Sequence, residues 1–544
     1  YSWEAISPDL TRDDPEKQGP MGAPITNEVS ENYNTIAYLA ESPRTADILW
    51  AGSDDGLVHV TDDRGESWDD VTPDGLDESL INAIEPSPHD PETAYVVATR
   101  YKFGDREPYI YRTENLGRSW TRIDGDLPAE ESLFARVVRE DPEVEGLLYA
   151  GTETGLYVSW DDGDNWSPLQ LNLPAVPVTD LKIHQNDLLV ATQGRGFYVL
   201  DDLNVVRAGP PSKDSGETLT LYTPEPSIRR ETGGGAGGGE AENPAADDGA
   251  LIYYRLAEEI DLEETPLKLT IMDEDGTVLW EAEADQKTGP EGGKGKLPYE
   301  TGLNRVTWNH RVMDAAGVEG FYHVGGDEDG VTGHHAGPGT YLVRMTIGED
   351  EVEAPLEVRW DPRLETSDEE VLEQQKMLAD LRSMIDELHR SITALTSAKE
   401  QAAQYKDVLE ETDGDQDVIE AAEALTEAVD EWRDSVANFE REGFQDVLNF
   451  PDRLSTDLQF LYGDIDEATS GLTKGMRDRF ADLRERWEDA MDERDDVIEG
   501  PIAAFDRALR DADVDRIVLP PLTEQEMMAA KTQRQSREES AGDE

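Results

Sequence analysis

The chain has 544 residues, enough for three or four domains of roughly 150 residues, so a single hydrophobic core is not expected. Its formal net charge of -74, from 122 acidic and 48 basic residues, makes duplex nucleic acid and anionic membranes poor partners. The absence of cysteine excludes disulfides, thiolate metal sites and cysteine nucleophiles. No run approaches the ~20 apolar residues of a membrane-spanning helix.

The strong acidity favours a folded protein adapted to molar salt. A disordered chain is excluded because 11 Trp, 18 Tyr and long periodic apolar patterns can build cores. The charge is spread along the whole chain, so a set of dedicated metal sites does not explain it. At ~1 M ionic strength the Debye length falls to about 3 Å, which screens the self-repulsion of such a protein. Most individual Asp and Glu residues are therefore expected to be solvated surface.

Three segments near the start of the chain share the pattern Ser/Thr-x-Asp/Asn-x-Gly-x-x-Trp. They begin at residues 61, 113 and 159, so successive copies are 52 and 46 residues apart, the length of a four-stranded propeller blade. Trp3 has the position of the last residue of an earlier copy. We therefore predict about four blades over residues 1–207 and interpret them as part of a larger propeller.

The motif is an Asp box, and its residue types suit a tight turn. The side-chain oxygen accepts backbone N–H bonds, the Gly allows the backbone conformation, and the Trp packs into the blade. Asn115 favours this structural role, because an amide holds a turn but cannot replace a catalytic carboxylate. The predicted structural residues are Asp63, Gly65, Trp68, Asn115, Gly117, Trp120, Asp161, Gly163 and Trp166.

If Asp boxes connect the third and fourth strands of each blade, the loops between the second and third strands lie at the opposite end, where propellers normally carry ligand sites. Those loops contain Asp54 and Asp55, then Arg100 to Arg106, then Glu153, and finally Arg195. Asp54, Asp55 and Glu153 are candidate carboxylates for glycoside hydrolysis, which needs a pair about 5–10 Å apart. Arg100, Tyr101 and Arg195 are candidate ligand-binding residues. The alternative is that all of these are solvated loop residues.

The composition changes after the blades. Residues 208–250 are rich in Pro, Gly and acidic residues and are predicted to be a linker. Residues 251–362 show short alternating strands typical of an immunoglobulin- or fibronectin-like sandwich. From Ser367, which forms a capping box with Glu370, the apolar period becomes helical, so we predict an α-helical bundle over 363–520 and a polar tail at 521–544.

Other chemistry is not indicated. The chain has no zinc-protease motif, nucleophile elbow or phosphate loop, and we predict no cofactor. Four of the eight histidines, His310, His323, His334 and His335, lie near Asp327 and Asp329. Their spacing fits no metal-ligand pattern, so we predict no metal site there.

The order of these parts resembles a known family. The segments are the Asp-box blades, Gly-Arg-Gly-Phe-Tyr-Val-Leu-Asp-Asp-Leu at 194–203, Gly-Leu-Asn-Arg-Val-Thr-Trp at 302–308, and Asp-Pro-Arg at 361–363. Together they resemble the C-terminal part of BNR-repeat proteins labelled glycosyl hydrolase or sortilin/VPS10-like, with sialidase- and xyloglucanase-like propellers, here of a halophilic archaeon. The resemblance implies more blades before this point and an extracellular or cell-surface location, and the sequence leaves a cytoplasmic one open. The Arg-Ile-Pro segment of sialidases is missing.

Two functions follow. The first is a scaffold that binds a glycan or a protein or peptide segment at the propeller mouth. The alternative is a glycoside hydrolase acting through paired carboxylates on the same loops. Self-association through the helices, or N-terminal blades supplied by another chain, are possible partnerships.

Overall fold

The computed structural model describes residues 2–17, 33–127, 134–210, 218–229, 249–291, 295–321, 331–364, 366–412, 415–440, 450 and 452–512. Two compact units are present, Tyr1–Ser215 and Gly216–Glu544. The predicted tail at 521–544 lies outside the described residues, as does most of the predicted linker at 208–250. The described chain is mainly β, with a C-terminal helical region.

The first unit contains four consecutive antiparallel sheets, which we call blades, and is propeller-like. In each blade, strands adjacent in sequence are adjacent in the sheet. The first blade comprises β1 (Ile36–Glu41), β2 (Leu49–Ser53), β3 (Val58–Thr61) and β4 (Asp69–Asp70). The second comprises β5 (Leu80–Pro86), β6 (Ala94–Thr99), β7 (Tyr109–Thr113) and β8 (Thr121–Arg122). The third comprises β9 (Ala135–Glu140), β10 (Leu148–Thr152), β11 (Leu156–Ser159) and β12 (Ser167–Pro168). The fourth has three strands, β13 (Val178–His184), β14 (Asp187–Thr192) and β15 (Phe197–Leu200).

The second strands of the first three blades are covered on both faces, which explains their largely apolar sequences. All six residues of β6 are buried. Small residues end these strands because the next blade packs closely there. A Cβ on Gly52 would lie 2.4 Å from Cγ2 of Ile81, and one on Gly151 would lie 2.6 Å from Cγ1 of Val178. The Ala-Gly pattern therefore provides room for the neighbouring blade.

A buried ion pair holds the segment that follows the fourth blade. The short helix α1 (Asn204–Arg207) begins four residues after β15 ends. Arg207 pairs with Asp141 at 3.0 Å, and Asp141 is fully buried. The indole N–H of Trp160 donates to the carbonyl of Val206 at 2.7 Å. Both contacts fasten α1 to the third blade.

The second unit begins with two sheets that share one hydrophobic core. The three-stranded sheet has the order β16 (Leu219–Leu221), β18 (Ala250–Leu256), β21 (Gly302–Trp308). The five-stranded sheet has the order β17 (Ser227–Arg229), β23 (Asp350–Trp360), β22 (Gly339–Ile347), β19 (Leu267–Met272), β20 (Val278–Glu283). The segment predicted as a linker thus contributes β16 and β17, of which β17 pairs in parallel with β23. An immunoglobulin- or fibronectin-like topology stays a prediction.

The helices of the second unit form one continuous apolar cluster. They are α2 (Asp368–Glu411), α3 (Gln416–Val436), α4 (Leu454–Asp466), α5 (Lys474–Val497) and α6 (Ala503–Asp511), with a π-helical turn at Ile498–Ile502. The predicted capping box is confirmed, because Ser367 accepts from the backbone of Glu370 and Glu370 accepts from the backbone of Ser367. None of the helices described is long and apolar enough to cross a membrane.

A buried carboxylate joins the sheets of the second unit to α4. Asp466 accepts from the backbone N–H of His335 at 2.9 Å and lies 3.0 Å from its Nδ1. Arg311 lies 3.2 Å and Arg229 lies 3.6 Å from the same carboxylate. Burial raises the pKa of Asp466, but His335 and Arg229 outweigh it and hold that pKa at about 2. The neighbouring His334 bonds to the Tyr462 hydroxyl instead. His323, Asp327 and Asp329 lie outside the described residues.

Candidate functional site

The loops of each blade alternate between its two ends, because successive strands are antiparallel. The turns between the third and fourth strands carry the Asp boxes, at 62–68, 114–120 and 160–166. The loops between the second and third strands lie at the other end, at 54–57, 100–108, 153–155 and 193–196. We call this second end of the blades the mouth.

The Asp-box turns have the same hydrogen bonds in all three copies. In the first, Asp63 accepts from the backbone of Ser67 at 2.8 Å and from the hydroxyl of Thr61 at 2.8 Å. Asn115 and Asp161 accept the corresponding bonds in the next two copies. The hydroxyl that opens each motif also accepts from the Gly N–H, at 2.9 Å every time.

The second and third Asp boxes also contact the residue that follows the last strand of the preceding blade. The indole N–H of Trp120 donates to Val71 at 2.6 Å, and that of Trp166 donates to Ile123 at 2.7 Å. Trp68 donates to Ile6 at 2.9 Å, three residues after Trp3. Trp166 is buried, whereas Trp68 and Trp120 are half-buried.

The glycine of each box lies against that same residue. A Cβ on Gly65 would come within 2.6 Å of the Ile6 carbonyl oxygen. On Gly117 it would lie 2.5 Å from the Cβ of Val71, and on Gly163 it would lie 2.5 Å from Cδ1 of Ile123. All three glycines have positive φ, between 79° and 93°. These positions therefore exclude a side chain for two separate reasons.

The carboxylates of the first blade's mouth loop are buried. Asp55 is 0% exposed and accepts from the Arg12 backbone N–H at 2.7 Å and from the Ser53 hydroxyl. Asp54 accepts from the Thr35 backbone N–H at 2.9 Å. Burial, aided by the neighbouring Asp55, raises the pKa of Asp54. Among the residues described, no hydrogen-bond partner is found for its Oδ2.

The second blade's mouth loop is the longest and begins with a 3-10 turn, Tyr101–Phe103. The guanidinium of Arg100 lies 3.1 Å from Asp77 and 3.2 Å from Asp105, and its side chain is only 17% exposed. Tyr101 and Phe103 are 44% and 40% exposed. The loop thus turns two aromatic side chains to solvent and holds Arg100 in ion pairs.

Tyr101 and Glu153 belong to one contiguous group, which we call the mouth cluster, made of Tyr101, Phe134, Arg136 and Glu153. The Tyr101 and Phe134 rings stack with centroids 5.4 Å apart and planes 20° apart. The Arg136 guanidinium lies 5.2 Å from the Phe134 ring centroid and pairs with Glu153 at 2.7 Å. The cluster joins the second and third blades. The sequence analysis did not identify Phe134 and Arg136, which lie at the start of β9, the first strand of the third blade.

Arg195 is exposed in the fourth blade's mouth loop. Asp54 and Glu153 belong to the first and third blades, which are not consecutive. The second blade lies between them, because β5 packs against both β1 and β9. The structure therefore separates Asp54 and Asp55 from Glu153, while Tyr101 and Glu153 belong to one cluster.

The first strands of all four blades meet at Arg139, a residue that the sequence did not single out. Its guanidinium donates to Asp180 at 2.7 Å, to Glu85 at 3.1 Å and to the Tyr38 hydroxyl at 3.1 Å. It also donates to the carbonyl of Leu181 at 2.9 Å. Burial raises the pKa of Glu85 to about 7, although Arg139 opposes this. Charged residues within apolar strands were the available sequence signal.

A metal site is not evident in these parts of the chain. No group of three or more His, Asp or Glu residues among those described is arranged to hold a metal ion.

No protein-family model and no curated protein matches this sequence. The solved structures similar to it include β-propeller proteins. YCF48 bound to D1 peptide is 14% identical over 45% of this chain and 66% of its own, with a TM-score of 0.25. The GH74 xyloglucanase from Xanthomonas campestris is 13% identical over 58% and 45%, with a TM-score of 0.26. The GH74 enzyme from Niastella koreensis is 12% identical over 60% and 47%, with a TM-score of 0.27. This chain thus spans less than two thirds of the length of each of these proteins.

Proposed function

We propose that this chain is a binding and scaffold protein whose propeller mouth holds an extended ligand, a glycan or a peptide segment. The mouth cluster is the observation that carries this proposal. Tyr101 offers a ring that is 44% exposed and held flat by Phe134. An aromatic surface fixed before binding adds contact area at little cost in conformational entropy.

Polar groups beside the Tyr101 ring would orient a bound ligand through hydrogen bonds. Arg136 and Glu153 form an ion pair with side chains 23% and 29% exposed, so a ligand can reach both. A guanidinium and a carboxylate side by side match the hydroxyls of a sugar or the amides of a peptide. The charge of the chain makes a strongly anionic polymer a poor ligand.

Glycan and peptide arrays probed with the full chain in molar KCl test this proposal. We expect Tyr101→Ala to weaken binding of any captured ligand by roughly tenfold, equivalent to about 1.4 kcal/mol. Phe460→Ala is the matched control, since Phe460 is 47% exposed in the helical region. Equal affinity of the Tyr101→Ala variant and the original chain would refute the mouth as the binding site.

The second candidate, a glycoside hydrolase, is favoured by one observation. Asp54 has a raised pKa, which suits a general acid. The other two candidate carboxylates are poorly placed to act with Asp54. Asp55 is bonded to Arg12 and Ser53, and Glu153, which lies two blades away from Asp54, is paired with Arg136. Release of reducing sugar that is lost in Asp54→Asn and retained in Asp55→Asn would establish this activity in place of simple binding.

The Asp boxes, in this proposal, are structural contacts between blades. Further N-terminal blades, from this chain or another, belong to the same proposal. A salt-rich habitat is also proposed, on the basis of the acidic composition. An extracellular or cell-surface location is proposed on the basis of the family resemblance.

A further inference from the structure

We propose that a second binding site, specific for a carboxylated sugar, lies between the two sheets of the second unit. The strands β20 and β21 are edge strands of different sheets. Between them lies a cleft of about 340 Å³, which we call the edge cleft. Its lining includes Trp280, Glu291, Lys296, Pro298, Arg305 and Thr307. Small-ligand sites typically measure roughly 300–1,000 Å³, so the cleft suits one or two sugar rings.

The wall of the edge cleft is fixed by contacts on both sheets. Leu297, next to Lys296, is fully buried in the core between the sheets. Its N–H donates to the carbonyl of Glu283, at the end of β20, at 3.2 Å. The Tyr254 hydroxyl, on β18, donates to the carbonyl of Pro298. The wall at Lys296–Pro298 is therefore held in place before a ligand binds.

The chemistry of the lining fits a sugar acid. Trp280 is half-buried and packs against the core, which fixes its indole as a flat surface for the apolar face of a pyranose. Lys296 and Arg305 place two cations in the same small cleft, in a chain with 122 acidic and 48 basic residues. A guanidinium recognises a carboxylate geometrically, and the ammonium adds a point charge. Glu291 and Thr307 also line the cleft, and their side-chain oxygens are of the kind that bonds to sugar hydroxyls.

Each part of the lining has a separate role. In molar salt the Debye length is about 3 Å, so only a carboxylate in direct contact with Arg305 or Lys296 gains from their charge. The indole surface is insensitive to salt and supplies affinity. The two cations supply the preference for an acidic sugar over a neutral one. This site belongs to the second unit and does not depend on the proposed function of the mouth.

Titration of the full chain in molar KCl with methyl β-glucuronide, methyl β-glucoside and acetate tests the inference. Binding is read by calorimetry and by saturation-transfer NMR. We expect the glucuronide to bind at least about tenfold more tightly than the glucoside, the difference that one directly bonded ion pair supplies. Acetate should bind far more weakly, because it has no ring to stack on Trp280.

Variants assign the site. Arg305→Gln and Lys296→Gln should reduce glucuronide affinity towards that of the glucoside, and Trp280→Ala should abolish binding of both sugars. Lys268→Gln is the matched control, since Lys268 lies on the neighbouring strand β19 and pairs with Glu281. Arg305 is exposed, so its variant remains informative even if Trp280→Ala fails to fold. The inference is overturned if neither sugar binds, if acetate binds as well as the glucuronide, or if Tyr101→Ala rather than Arg305→Gln removes binding.

Discussion

Replacing Gly117 by Ala separates the contact between blades from the cost of the turn itself. Gly117 has φ of 79°, and a left-handed conformation costs an L residue about 1–2 kcal/mol. The added methyl would also lie 2.5 Å from the Cβ of Val71. Overpacking of this kind costs about 1–3 kcal/mol. The two effects together predict a loss of about 2–5 kcal/mol in the free energy of unfolding of the first unit.

Gly75→Ala is the control for the backbone alone. Gly75 has φ of 80°, and a Cβ there would meet nothing within 4 Å. Urea unfolding in molar KCl leaves ionic strength constant, and hydrogen exchange of peptides from the second and third blades reads the first unit separately. We expect Gly117→Ala to lose about 1–3 kcal/mol more than Gly75→Ala. Equal losses in the two variants would show that the Asp box does not stabilise the packing of neighbouring blades.

Three further predictions concern charge. Asp466→Asn should destabilise the second unit by about 3–5 kcal/mol in urea unfolding, because it leaves the buried guanidinium of Arg229 without its carboxylate. With the pKa of Asp466 lowered from 3.8 to about 2, the original chain should lose that stabilisation as pH falls through this window, whereas the variant should not. Burial raises the pKa of Glu85 from 4.5 to about 7, so the folded chain holds a proton that the unfolded chain releases between these pH values. The original chain should therefore lose stability relative to Glu85→Gln as pH rises from 4.5 to about 7. Lowering KCl from molar to 0.1 M lengthens the Debye length to about 10 Å and should lower the melting temperature of the whole chain in calorimetry. An unchanged melting temperature would contradict adaptation to salt.

Local patterns in the sequence predicted local structure well. The Asp-box turns depend on hydrogen bonds across four residues, so the motif contains nearly all the information they need. The capping box of Ser367 is local in the same sense. Blade strands were recognisable because burial on both faces demands an apolar run, and β6 is such a run.

Contacts between blades could not be predicted from the sequence. Asp54 and Asp55 look like solvated loop residues, yet both are buried, because Arg12 and Thr35 supply backbone donors to them. Tyr101 stacks on Phe134, 33 positions later in the chain, only because the second and third blades pack together. Arg139 has partners in three other blades, and no pattern along one strand reveals that.

The lengths of the mouth loops indicate which blade can form a ligand site. The mouth loops of the first, third and fourth blades have four, three and four residues, at 54–57, 153–155 and 193–196. Loops this short mostly close a hairpin, and their carboxylates already have partners, as Asp55 has with the Arg12 backbone and Glu153 has with Arg136. The second blade has nine residues, at 100–108, more than a hairpin needs. At the other end, the Asp or Asn of each Asp-box turn bonds within the turn, and the Trp donates to a carbonyl of an earlier segment, so a ligand would compete with contacts already made. A loop longer than its fold requires, with two aromatic rings exposed, has no such competition, and for that reason Tyr101 is a better starting point for finding a ligand than any aspartate of the repeat.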